Sequence, residues 1–150
     1  MSSVLREDLL LAVRNKALIH IVRSSLTPLV EIGPGNVELL SINKKFESSR
    51  LILFALATNK KQIHIYKGVL TDEGLQLEVI EKIATSANVI QMRFDGRALC
   101  YATSSRYYVL DMTVQPRVHH ELIEINESVG PHIVGVEQVS KCFGVSYTVF

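Results

Sequence analysis

The sequence predicts an all-β chain of repeated antiparallel hairpins, and three observations carry that reading. The first is a repeat: Ala12, Ala57 and Ala102 follow one another at intervals of 45 residues. The second is the pattern around each alanine. An apolar run (Leu9 to Val13, Leu51 to Ala57, Ala98 to Ala102) meets a short polar break, and a second apolar run follows (Ala17 to Val22, Ile63 to Tyr66, Tyr107 to Leu110). Short runs rich in β-branched and aromatic residues, split by polar loops, are the hairpin signal. The third is that turn signals between the hairpins leave room for further strands, giving about four per repeat. Four strands in a period of roughly 40 to 50 residues mark a β-propeller blade. The fold class expected is therefore a partial β-propeller of about three four-stranded antiparallel blades, a fragment of a larger propeller, with residues 1–150 forming a single domain.

Taken in order, the elements support this. Leu26 to Ile32 closes at Gly33-Pro34-Gly35-Asn36, whose glycines tolerate positive φ. Val37 to Ile42 follows directly as a strand, and Leu51 to Ala57 is the longest apolar stretch. A turn is expected at Asp72-Glu73-Gly74. The segment after it alternates Leu75, Leu77, Val79 and Glu81 against Gln76, Glu78 and Ile80. A helix with Leu75, Val79 and Ile83 on one face is the rival there, but period two and the β-branched neighbours favour a strand. Asp95-Gly96 reads as a tight type I′ hairpin turn. Val118 to Ile125 supplies an outer strand, and the runs from His132 to Val139 and from Lys141 to Phe150 begin a fourth unit. Within each hairpin the first run, almost wholly apolar, is expected nearest the propeller axis and buried on both faces. The second run is expected further out.

Composition narrows the function. Apolar residues make up 47% and charged residues 21%, an ordinary globular balance. A net charge of +1 offers no electrostatic field for nucleic acid or a membrane surface. Lys44-Lys45 and Lys60-Lys61 read as solvated loop lysines. No run approaches the length of a membrane span, and Glu7 and Asp8 stand where a signal peptide would carry positive charge. Cys100 and Cys142 are too few for a disulfide framework and read as buried reduced thiols. The expected address is cytoplasmic.

Candidate catalytic groups are sparse. His119 and His120 are adjacent, so in a strand they point to opposite faces and cannot share a metal ion. His20 and His64 occupy matching repeat positions, and His132 stands alone. The serine pairs, Ser104-Ser105 among them, lack a nucleophile elbow. Gly33-Pro34-Gly35 lacks the Lys-Ser/Thr of a phosphate loop. Cys100 has no base near it in sequence. Glu121, Glu124 and Glu127 read as the solvent side of an outer strand and its loop. The expectation is no enzyme, with no catalytic, cofactor-binding or metal-binding residues and no cofactor.

The stretches Phe54 to Lys67, "FALATNKKQIHIYK", and Val89 to Asp111, "VIQMRFDGRALCYATSSRYYVLD", carry a more specific pattern. In order and spacing they resemble the citron homology (CNH) domain, a divergent propeller family without the Trp-Asp dipeptide of WD repeats; tryptophan is absent here. Within that family the likeness is to the endolysosomal tethers related to the transforming growth factor beta receptor-associated protein family and the HOPS and CORVET vacuolar sorting subunits. It extends from Leu9 to Ile125. The resemblance implies an interaction scaffold, peripheral on endosomes and lysosomes, acting in endosome-to-lysosome trafficking and fusion. Small GTPases and sister tethering-complex subunits would be its partners. It would associate with membranes only through those partners, bind no nucleic acid, and be able to self-associate through exposed blade edges. A regulatory CNH domain of a Ste-type kinase or a Rho guanine-nucleotide exchange factor is the second reading. A propeller enzyme or ligand-binding protein with an axial site is the third. It would need inward polar residues that "LLLAV", "LILFALA" and "ALCYA" do not offer.

Overall fold

The computed structural model describes residues 2–6, 9–14, 17–22, 25–31, 37–43, 51–71, 74–124, 133–139 and 142–147. Their ordered elements are all strands. They run β1 (Ser2–Arg6), β2 (Leu9–Arg14), β3 (Ala17–Val22), β4 (Ser25–Glu31), β5 (Val37–Ile42), β6 (Leu51–Thr58) and β7 (Gln62–Thr71). They continue as β8 (Gly74–Ala84), β9 (Gln91–Asp95), β10 (Ala98–Ala102), β11 (Arg106–Asp111), β12 (His120–Glu124), β13 (Ile133–Val139) and β14 (Cys142–Tyr147). Residues 74–84 form a strand, so period two prevails over the helical rival. The turns expected at Gly33 to Asn36 and at Asp72-Glu73 lie outside the described residues, as do His132, Glu127 and Lys44-Lys45.

Three four-stranded sheets arise as simple meanders, β1-β2-β3-β4, β5-β6-β7-β8 and β9-β10-β11-β12, and β13-β14 form a two-stranded fourth. Every pairing is antiparallel. The three repeat alanines sit on the second strand of each sheet, opposite Ile19, Ile63 and Tyr107. The 45-residue interval is therefore the spacing of one sheet to the next. Short-range chemistry fixes the hairpins. Thr58 and Thr103 stand 45 residues apart and are both buried. The Thr58 hydroxyl accepts from Lys60 N (3.3 Å), and that of Thr103 from Ser105 N (3.4 Å) and Arg106 N (3.3 Å). Such side-chain bonds fold the chain back at once after the strand. In the β6–β7 loop Lys61 adopts φ 57°, the left-handed position of a three-residue hairpin loop.

The β9–β10 turn differs from the sequence expectation. Asp95 pairs with Ala98, so the loop residues are Gly96 and Arg97 rather than Asp95 and Gly96. Gly96 has φ 61° while Arg97 keeps a negative φ. Glycine at the first loop position is the type II′ pattern, because only there does a Cβ obstruct the turn.

The sheets stack face to face. β5 packs on β1 and on β9, β9 packs on β13, and β4 meets β8. First strands meet from sheet to sheet, and β10 also meets β13 and β6 meets β9. The first strand of each four-stranded sheet is the strand before the hairpin, and β6 and β10, expected nearest the axis, are second. Their unbroken hydrophobicity has the cause expected of it, burial on both faces. Leu99 and Tyr101 join Ala55, Ala57, Ile63, Ile65 and Phe94 in a core between the second and third sheets. Ala98, Cys100 and Ala102, one residue out of phase, join Tyr107, Val109 and Ile133 on the opposite face. Period two sends alternate residues of one strand into two different cores.

Candidate functional site: the cleft between the second and third sheets

The seam between the second and third sheets holds a cavity of about 150 Å³, lined by Leu53, Ile65, Ile80, Glu81, Phe94, Gly96, Arg97, Met112, Thr113 and Arg117. Its walls come from β6, β7, β8, β9, the β9–β10 turn and the loop after β11. Ile80 and Glu81 are neighbours in sequence yet both line it, which a regular strand forbids. The pairing explains how. Ile65 opposes Glu81 while Tyr66 opposes Val79, so Ile80 is the extra residue of a β-bulge. A bulge re-aims side chains at a strand edge, and here it leaves Ile80 51% exposed at the cavity mouth.

Three polar devices hold the seam. Asn43, fully buried, donates through Nδ2 to Gly96 O (2.7 Å) and accepts from Gly96 N (2.9 Å), clamping the turn that forms one rim. Ser41 Oγ accepts from Phe94 N at 2.8 Å. Arg117 reaches across from the third sheet to Glu81 of the second. Its Nε donates at 3.0 and 3.1 Å to the two carboxylate oxygens, and its Nη2 donates at 2.8 Å. Nη1 donates to Val114 O at 2.9 Å. A guanidinium fork on a planar carboxylate is among the stronger ionic contacts in water-poor surroundings. Nearby, Asp111 accepts from Thr113 N (2.9 Å) and Thr113 Oγ1 (2.6 Å). Those two bonds, with lesser help from Arg117 and Arg97, hold its carboxyl below the usual range. Arg97 is exposed at the rim, where its charge also acts on Asp111. The rim therefore sets Glu81, Arg97 and Arg117 beside an apolar well.

The residues singled out from sequence lie elsewhere. His64 is buried at 1% exposure, donates through Nε2 to Gln62 Oε1 (3.0 Å), and has its pKa lowered by burial and then by Lys82. His119 and His120 part company: His120 is exposed at the start of β12, while His119 hydrogen-bonds the Tyr101 hydroxyl through Nδ1 at 2.6 Å. Burial lowers the pKa of His119 and raises that of Tyr101, whose ring stacks on Tyr108 at 5.0 Å. Cys100 is a buried free thiol, pushed up to about 12 by burial, and so is not a nucleophile at neutral pH. The side chains of Cys142, His20 and Glu124 lie outside the described residues. Ser104 and Ser105 are exposed in the β10–β11 loop, and Glu121 pairs with Arg106 at 2.8 Å. Among the described residues no group of three or more His, Cys, Asp or Glu side chains could hold a metal ion. Asn43, Glu81, Arg97 and Arg117 were not marked by the sequence. They occupy no motif, and only the bulge and the sheet stacking bring them together.

Among solved structures, the chain is similar to the WD40 domain of SCAP from fission yeast, with a TM-score of 0.61 at 11% identity. The fold is that of a β-propeller segment. The likeness covers 93% of this chain but only 38% of the SCAP domain chain, and at that identity it speaks for the fold alone. No family model matches the sequence, and no curated protein does either.

Proposed function

We propose that this propeller segment is a non-catalytic protein-interaction scaffold of an endolysosomal tethering assembly. In that role it binds a small GTPase or a sister subunit of a HOPS- or CORVET-like complex during endosome-to-lysosome transport, and it sits on the cytoplasmic side of those membranes through its partners. The observation that carries the scaffold reading is the stack itself. Meander sheets packed face to face spend their apolar faces on one another and present turns, edges and the seam cleft to solvent. Repeated stacks of this kind serve as extended binding surfaces. The tethering assignment is supported by the CNH-like order of "FALATNKKQIHIYK" and "VIQMRFDGRALCYATSSRYYVLD" on β6–β7 and β9–β11.

The test is affinity capture of the full chain against purified HOPS and CORVET subunits and endosomal GTPases, each loaded with GTP or GDP. Saturable binding to one subunit, or to a GTPase in its GTP form alone, supports the tethering role. Absence of binding to the entire set removes that role. Capture of a kinase or exchange-factor fragment in the same format would move the scaffold to signalling.

A further inference from the structure

We propose that the outward face of the first sheet docks a second copy of this chain, through the outward face of that copy's fourth sheet. Two chains then stack head to tail into one closed ring. The inference goes beyond the scaffold reading and stands without it.

Side-chain size gives the stack a direction. In the second sheet, Ala55 and Ala57 of β6 lie in the core shared with the third sheet, and the large Ile52, Phe54 and Leu56 hold the other phase, also buried. In the third sheet, Leu99 and Tyr101 of β10 face the second, while Ala98, Cys100 and Ala102 share a core with Ile133 of the fourth. These second strands turn large residues back and small ones forward, so large meets small at the seam. Layers that interdigitate in this way reach native packing density.

The register carries the same polarity to both ends of the stack. Ala12 opposes Ile19 as Ala57 opposes Ile63, so Leu9, Leu11 and Val13 of β2 hold the backward phase. On β14, Tyr147 opposes Ile133, which puts Phe143, Val145 and Tyr147 in the backward phase and Cys142, Gly144 and Ser146 in the forward one. Among the described residues the contacts of the first sheet run to the second, and those of the fourth to the third. One end of the stack is therefore large and the other small. They are the two halves of the seam already built between the second and third sheets.

Charge agrees with size. Arg6 opposes Leu9 and shares the backward phase of the first sheet. Glu137 opposes Gly144 and shares the forward phase of the fourth. Counted from the repeat alanines and from the matching two-residue turns, Arg6 holds the place of Phe94, and Glu137 that of Ser41. Those two places touch at the second seam, where Ser41 Oγ accepts from Phe94 N at 2.8 Å. A head-to-tail junction thus sets Glu137 of one copy beside Arg6 of the other. A head-to-head pairing would set Arg6 against Arg6. Closure limits the number of copies. Each chain brings four sheets, and propellers close with about four to eight blades, so two copies fit and three do not. A head-to-tail interface that closes gives a ring rather than a filament.

The test is the light-scattering mass of the full chain across a concentration series. A plateau at twice 16.8 kDa is expected. Arg6→Glu and Glu137→Arg each place like charges at both junctions, and each should raise the dimer dissociation constant at least about tenfold. An equimolar mixture of the two restores opposite charges at both junctions. It should dimerise like the wild type, which also shows that both variants fold. Ser146→Trp fills the forward phase of β14 and should leave a monomer with wild-type circular dichroism. A monomer at every concentration, growth past two copies, or a mixture no tighter than its parts would overturn the proposal. So would indifference to Glu137→Arg, since another surface would then hold the copies together.

Discussion

Gly68 shows how tightly single residues are constrained inside the second sheet. It lies on β7 between Ile52 of β6 and Leu77 of β8, directly across from each. A Cβ built there would stand 2.6 Å from Ile52 Cγ1 and 3.0 Å from Leu77 Cδ2. The bare glycine leaves room for Ile52 to lie across the strand. Gly68→Ala should destabilise the chain by about 1–3 kcal/mol through overpacking, read as a lower denaturation midpoint, and an unchanged midpoint would show that Ile52 moves aside freely. The histidines act through protonation. His64 and His119 both have pKa values depressed from 6.5, burial being the leading cause for each. The unfolded chain then takes up protons near pH 6.5 that the folded chain refuses until lower pH. Stability is full above that pH and falls as the pH drops through 6.5 toward the folded values. The denaturation midpoint should decline between pH 7.5 and 5.5, and the decline should flatten in the His64→Gln, His119→Gln double variant. The matching repeat position of His64 was legible in sequence. Its shift was not, because it depends first on burial in the folded stack and then on Lys82, its cross-strand partner.

Whole strands were the most readable level, and their limits have a physical source. Strand existence follows from local patterning, so Val37 to Ile42 and Ala98 to Ala102 coincide with β5 and β10. The expectation for Val118 to Ile125 began early: β12 starts at His120, and Val118 lies 50% exposed before it. The β8 bulge is invisible in sequence, because an alternating pattern carries no mark of where a partner strand slips by one residue. That slip puts Glu81 within reach of Arg117, so the cleft was illegible although β8 itself was not. The ion pair joins two sheets and is only 14% and 22% exposed at its two side chains. Removing Glu81 leaves the guanidinium half-buried and unmatched. Glu81→Ala should lower stability by about 1–3 kcal/mol, in line with charged hydrogen bonds, whereas Glu81→Gln, which keeps an acceptor oxygen, should lose less. Equal stability of wild type and Glu81→Ala in chemical denaturation would mean the pair is solvated and adds little.

At the scale of the molecule, the sheets form a stack in which burial depends on having a neighbour. The second and third sheets have one on each side. That accounts for β6, where Phe54, Ala55, Leu56 and Ala57 are all fully buried although alternate residues face opposite ways. The first sheet is likewise mostly apolar on its second and third strands, "LLLAVR" and "ALIHIV". Among the described residues its contacts in the stack run to the second sheet, through β1 with β5 and β4 with β8. A sheet with apolar residues at both phases of the period-two pattern and, among the described residues, a neighbour on one side has a further face to cover. The 45-residue repeat announced this stacking in sequence, since a repeated apolar hairpin makes sense only where copies cover one another. The partner for that remaining face carries no such mark. In isolation the 150-residue chain should therefore associate, with a light-scattering mass that exceeds 16.8 kDa and rises with concentration. Replacing Leu10 and Val13 together by lysine puts a charge into each phase of β2 and should oppose that association. A homogeneous 16.8 kDa species that unfolds in one cooperative step would instead mean that the chain covers both faces of its first sheet by itself.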